Sequence, residues 1–118
     1  MYVLKFTDSA VADVRLIPKH LRNALRKELL DKVRVDPFGC SKELKEPLKE
    51  FRSFQWRGYR VVYRIFPELR AVAIVGVGLR SPQSTANIYR KLERLADAGQ
   101  LAQGVLFSIR GFSEPPLE

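Results

Sequence analysis

Three β-rich runs separated by single turns dominate the middle of the chain, and they leave little freedom in how it folds. Residues 51–57 (FRSFQWR), 59–66 (YRVVYRIF) and 70–79 (RAVAIVGVGL) are parted only by Gly58 and by Pro67-Glu68-Leu69. Links this short join antiparallel neighbours, because a parallel pair needs a crossover of a dozen or more residues. Period-two alternation then assigns the faces. Tyr59, Val61, Tyr63 and Ile65 share one side of the second strand, and Arg60, Val62, Arg64 and Phe66 the other. On the first strand Arg52, Phe54 and Trp56 share a face. On the third, strict alternation puts Val72, Ile74, Gly76, Gly78 and Arg80 together. Glycine within a strand often marks close approach by a ligand or by another backbone. A hollow floored by Gly76 and Gly78, with Arg60 and Arg80 brought together from adjacent strands, is therefore expected to receive a phosphate, since guanidinium groups bind phosphate in a bidentate fork.

The flanking segments supply what the sheet must bury against. Residues 1–6 are rich in β-formers and read as a strand. Thr7, Asp8 and Ser9 offer a helix N-cap, followed by Val11, Val14 and Ile17 at helical spacing. Pro18 breaks that helix and suits the first turn of a second one, in which Leu21, Leu25, Leu29 and Val33 recur every four residues. Asp36-Pro37 closes it. Residues 40–50 alternate Lys and Glu and read as a charged connector with a solvated face. From Ser84 to Ala98 the pattern is helical again, with Ile88, Leu92 and Leu95 on one side and Gly99 as a stop. The fold class is α+β: an N-terminal strand, a helical hairpin, antiparallel strands forming one small sheet, and a C-terminal helix. Residues 1–98 form one domain, and 99–118 an extension that packs back, adds an edge strand or mediates self-association.

Charge narrows the partners. The chain has 118 residues with a formal charge of +8 and a pI near 10.0, which favours nucleic acid, an anionic membrane or an acidic protein partner. One cysteine, Cys40, and one histidine, His20, exclude an intramolecular disulfide and a zinc site. Cys40 reads as an inert loop residue and His20 as an exposed helix residue. No stretch has the length of a membrane span, and a cytoplasmic protein is the simplest expectation.

Gly58-Tyr59-Arg60-Val61-Val62-Tyr63-Arg64 resembles a strand of the RelE/ParE toxin superfamily. Gly76-Val77-Gly78-Leu79-Arg80 resembles the end of the strand that follows it, and Tyr89 resembles the tyrosine of RelE-type members. Coverage runs over about residues 1–95. The resemblance implies a type II toxin paired with a cognate antitoxin, monomeric or dimeric when free. RelE-type members cut mRNA in the ribosomal A site without cofactor or metal, whereas ParE-type members act on DNA gyrase and have no ribonuclease site. It implies that Arg60 stabilises the phosphorane charge, that Arg80 contacts the same phosphate and that Tyr89 stacks on a base or moves a proton. Arg52 falls near a position usually basic. Lys45, Lys49 and Trp56 are further candidates for contacting RNA, the lysines through backbone phosphate and Trp56 by stacking on a base. Ser53 and Phe54 stand where active RelE members often carry a second lysine, a departure that touches the acid–base assignment. The Arg80–Tyr89 pair favours the RelE-type reading, and the ParE-type reading stays beside it.

Overall fold

The structure, a computed structural model, describes residues 1–79, 88–97, 99, 102, 103 and 105. Its elements in chain order are β1 (Val3–Phe6), α1 (Asp8–Arg15), α2 (Lys19–Glu28), β2 (Lys42–Glu43), β3 (Arg52–Trp56), β4 (Tyr59–Phe66), β5 (Ala71–Leu79) and α3 (Ile88–Asp97). The five strands form one sheet in the order β1-β5-β4-β3-β2. β1 runs parallel to β5, reached by way of the helical hairpin and the other strands, and the remaining pairs are antiparallel. The α+β arrangement is the one expected.

The hairpin of α1 and α2 covers one face. Ala10, Val14, Ile17, Leu25, Leu29 and Val33 meet Phe54, Trp56, Val61, Tyr63, Val72 and Ile74 there. Thr7 caps α1, its hydroxyl accepting from the Ala10 N–H at 3.2 Å. Pro18 precedes α2, where its carbonyl accepts from the N–H groups of Leu21 and Arg22. The four-residue spacing of Leu21, Leu25, Leu29 and Val33 has a consequence. In a straight α-helix each step of four drifts by about 40°, which would carry Val33 off the apolar side. One π turn, Leu29–Val33, follows α2 and closes with the Arg34 N–H donating to the Leu29 carbonyl at 2.9 Å. The wider turn absorbs the drift, and Val33 is fully buried.

The other face belongs to α3 and to the segment before β3. Ile88 and Leu92 pack on Val62, Ala73 and Val75, with Leu48, Phe51 and Val105 completing this smaller core. The stretch 40–50 is therefore more than a solvated connector. It contributes β2, and its two leucines turn inward, Leu48 fully and Leu44 partly. From the tail, Val105 is buried in the same cluster. Residues 80–87, which include the expected start of the last helix, and most of 98–118 lie outside the described residues. Among the described residues no helix is long and apolar enough to cross a membrane.

β4 alternates as expected, but β5 does not. Val62 pairs with Gly76 and Tyr63 with Ile74, so Val75 is an extra residue, a bulge. Val72 and Ile74 face the hairpin, as does Val77 beyond the bulge, while Ala73 and Val75 face α3. Gly76 and Gly78 are thus turned to the side opposite Ile74, against α3.

Tyr63, the largest fully buried side chain, donates its phenol to the Pro37 carbonyl at 2.8 Å. Burial pushes this phenol above its ordinary value of 10.0. The folded chain therefore keeps a proton that the unfolded chain releases near pH 10. The associated stability is complete below about pH 10 and is lost as pH rises beyond it, at up to about 1.4 kcal/mol per pH unit. Chemical denaturation between pH 9 and 11 should show this extra alkaline loss in the native chain, and Tyr63→Phe should remove it.

Candidate functional site

A cavity of about 720 Å³ opens on the α3 side of the sheet. Its walls come from three places: the 39–46 segment, the outward polar residues of β3 and β4, and the first turns of α3. The β3–β4 ladder sets the floor. Gln55 pairs with Arg60, and Arg60 pairs in turn with Gly78 of β5, so these three lie side by side across the sheet. Ser53, two residues from Gln55, faces the same way. Tyr89 reaches down from α3, and its hydroxyl sits 2.8 Å from that of Ser53. Arg60, Tyr89, Ser53, Gln55 and Lys45 all line the cavity, as does Glu93, one helical turn beyond Tyr89.

Arg60 differs from its neighbours. Of the three arginines on β3 and β4, Arg52 reaches Glu43 at 3.7 Å and Arg64 reaches Glu50 at 3.4 Å. Arg64 also lies over the Phe66 ring, and Arg52 over that of Phe38. Arg60 donates to its neighbour's carbonyl, that of Tyr59, at 3.2 Å. Among the described residues no carboxylate lies within ion-pairing distance of it. A guanidinium that is half-buried, faces a cavity and has no counter-ion leaves most of its five donors for an incoming anion.

The other sequence-based candidates scatter. Arg52 points to the hairpin face, away from Arg60. Its Nε donates to the Ser41 hydroxyl at 2.7 Å, and its Nη2 to the carbonyls of Ser41 at 3.0 Å and Phe38 at 3.2 Å. Those bonds tie the 38–43 segment to β3, which is a structural task. Trp56 is also on the hairpin face, buried in the main core and stacked on Tyr59 with ring centroids 6.1 Å apart. It offers no platform to a base in the cavity. Lys45 is exposed at the cavity wall, whereas Lys49 is exposed outside the lining. Arg80 lies outside the described residues.

The glycine floor has a different purpose from the one expected. A Cβ on Gly76 would meet the tips of Ile88 and Leu92 at 3.0 Å, and one on Gly78 would meet Cβ of Ile88 at 3.2 Å. The missing side chains admit α3 rather than a ligand. Gln55 and Glu93 are among the cavity residues that sequence reasoning passed over, and Ser53 entered it only as a departure from the family pattern. Alternation on β3 does place Ser53 and Gln55 opposite Arg52, Phe54 and Trp56, so their face was available from the pattern. Glu93 carries only its i, i+4 relation to Tyr89.

A family model described as the ParE toxin of type II toxin–antitoxin system, parDE, matches residues 4–83. No curated protein matches the chain. Among solved structures, a chain of the RelBE2 toxin–antitoxin complex from Mycobacterium tuberculosis is similar with a TM-score of 0.64 and 28% identity, over 67% of this chain and 91% of that one. A chain of the intact Escherichia coli RelBE complex gives 0.58 and 26%, over 69% and 99%. The isolated E. coli RelE toxin gives 0.58 and 25%, over 81% and 99%.

Proposed function

The chain belongs to the ParE toxin family of type II toxin–antitoxin systems, within the RelE/ParE superfamily, and from that premise we propose that it is a toxin that cuts mRNA on the ribosome until a cognate antitoxin neutralises it. The observation that carries this reading is Arg60, which meets no carboxylate among the described residues and shares one cavity with Tyr89.

RNA supplies its own nucleophile. The 2′-hydroxyl gives up its proton as its oxygen attacks the adjacent phosphorus, the bond from phosphorus to the 5′-oxygen breaks, and the 5′-oxygen takes up a proton as it leaves. The products are a 2′,3′-cyclic phosphate and a 5′-hydroxyl. The protein's contribution is to align the two oxygens and to neutralise charge on the equatorial phosphoryl oxygens. Arg60 is assigned the second task. Tyr89 is assigned to the base or the proton beside the cut, held by Ser53, and Arg80 to the same phosphate on the family pattern. Lys45 at the cavity wall is placed to meet backbone phosphate.

A second reading has its own support. The matching family model is that of ParE toxins, and Ser53 and Phe54 replace the lysine common in RelE members. On that reading the chain inhibits DNA gyrase and cuts no RNA. Induced expression followed by primer extension separates the two. Codon-phased breaks in mRNA that vanish when the antitoxin is co-expressed are the expected result. Intact mRNA with gyrase-dependent DNA breaks would replace the first reading by the second.

A further inference from the structure

Asp13 is a charged side chain, 6% exposed, that no part of the proposed chemistry uses. It lies on α1, on the hairpin side of the sheet, whereas the cavity lies on the side of α3. The ladder between β1 and β5 ends at the pair Phe6 and Ile74, so beyond Ile74 no strand lies beside the edge of β5 among the described residues. The Thr7 N–H reaches the Ile74 carbonyl at 3.0 Å, and Asp13 Oδ2 accepts from the Val77 N–H at 3.0 Å. For that backbone bond a neutral amide oxygen would suffice. The charge is accounted for by the other oxygen: Asp13 Oδ1 pairs with Nζ of Lys91, which comes around the sheet edge from α3. A buried carboxylate needs such a partner.

Lys91 is two residues beyond Tyr89. At about 100° per residue, Tyr89 and Lys91 project on opposite flanks of α3, with Ile88 and Leu92 between them against the sheet. The contact beneath is apolar and rests on Gly76 and Gly78, which present no side chain to stop the helix from rolling. Polar contacts bracket it: Lys91 to Asp13 on one flank, Tyr89 to Ser53 on the other.

We propose that Asp13, acting through Lys91, is a positioning residue for Tyr89, holding α3 at the rotation that sets the phenol in the Arg60 cavity. Its catalytic consequence rests on the ribonuclease reading; the mechanical part does not. The full chain labelled with 3-fluorotyrosine gives the test, since it has four tyrosines and Tyr89→Phe assigns the relevant fluorine resonance. Two variants break the pair: Lys91→Met, and the double change Asp13→Asn with Lys91→Met, which leaves no charge buried alone and keeps an acceptor for Val77. In both, the Tyr89 resonance should shift or broaden while those of Tyr2, Tyr59 and Tyr63 stay in place. Amide exchange in α3 should quicken by about tenfold or more without change in β4 and β5. In ribosome-bound mRNA cleavage, kcat should fall by about tenfold or more, with KM little altered. Lys91→Arg should restore all three. An unchanged Tyr89 resonance and unchanged α3 exchange in both variants would overturn the proposal whatever the activity. So would a loosened α3 with wild-type kcat. A wild-type chain that cuts no mRNA would instead defeat the ribonuclease reading, and the fluorine and exchange data would then decide the positioning role by themselves.

Discussion

Arg60→Ala should yield a folded protein that cleaves mRNA at least about a hundredfold more slowly and no longer arrests growth. The magnitude is that of removing one donor aimed at transition-state charge, roughly 3–4 kcal/mol. The fold should tolerate the change because, among the described residues, the Arg60 guanidinium bonds only the neighbouring Tyr59 carbonyl and pairs with no carboxylate. Arg60→Lys should recover only part of the rate, since an ammonium keeps the charge but loses the planar fork. The comparison that gives the result meaning is Arg64→Ala. Arg64 sits on the same face of β4, four residues on, but is engaged by Glu50 and the Phe66 ring. Its loss should leave cleavage near the wild-type rate. Single-turnover cleavage on programmed ribosomes, with thermal unfolding as the control for folding, measures both. Equal losses for the two variants would mean that general positive charge, rather than a placed donor, is what the cavity supplies.

The largest effect on stability is expected at Leu92. This side chain is fully buried beneath α3 and lies over Gly76, within 3.0 Å of where a Cβ would be. Leu92→Ala should cost about 2–5 kcal/mol in urea unfolding. The upper part of that range is favoured because glycine has no side chain that can move into the void. Gly76→Ala on its own should be mildly destabilising, since its methyl group would crowd Ile88 and Leu92. Combined with Leu92→Ala the same methyl group fills space, so the double variant should be more stable than the sum of the two losses predicts. A double-mutant cycle reads that coupling directly. Strict additivity would show that α3 shifts off the sheet instead of staying seated above an empty space.

Much of the architecture was legible because it depends on short-range patterns. The faces of β4 follow from alternation alone, and Tyr59, Val61, Tyr63 and Ile65 do turn to the hairpin. The hairpin helices follow from the leucine spacing, Thr7 and Pro18. Turn lengths gave the antiparallel order of β3, β4 and β5. What escaped depends on contacts that no local pattern encodes. The bulge at Val75 is one extra residue in a run in which nearly every position is apolar, so nothing in the run marks where alternation slips. Arg52 looked like a phosphate ligand because its chemistry permits that role. Its actual partners, the carbonyls of Phe38 and Ser41, become visible only when the 38–43 segment is folded against β3. The glycines announced close approach correctly, but a helix and a ligand leave the same trace in a strand. Asp13 and Lys91 are 78 positions apart, and each alone reads as an ordinary charge on an amphipathic helix.

The additional residue in β5 also sets a rule for substitution along that strand. Up to Ile74 a given parity of position belongs to the hairpin side, and past Val75 the parity is exchanged. Removing one residue there would aim Gly76 and Gly78 at the large side chains of the hairpin core and drive Val77 into α3. Two otherwise sound packing solutions would fail together, although every amino acid needed for each would still be present. The length of this strand, counted to a single residue, therefore restricts the chain as severely as its composition does.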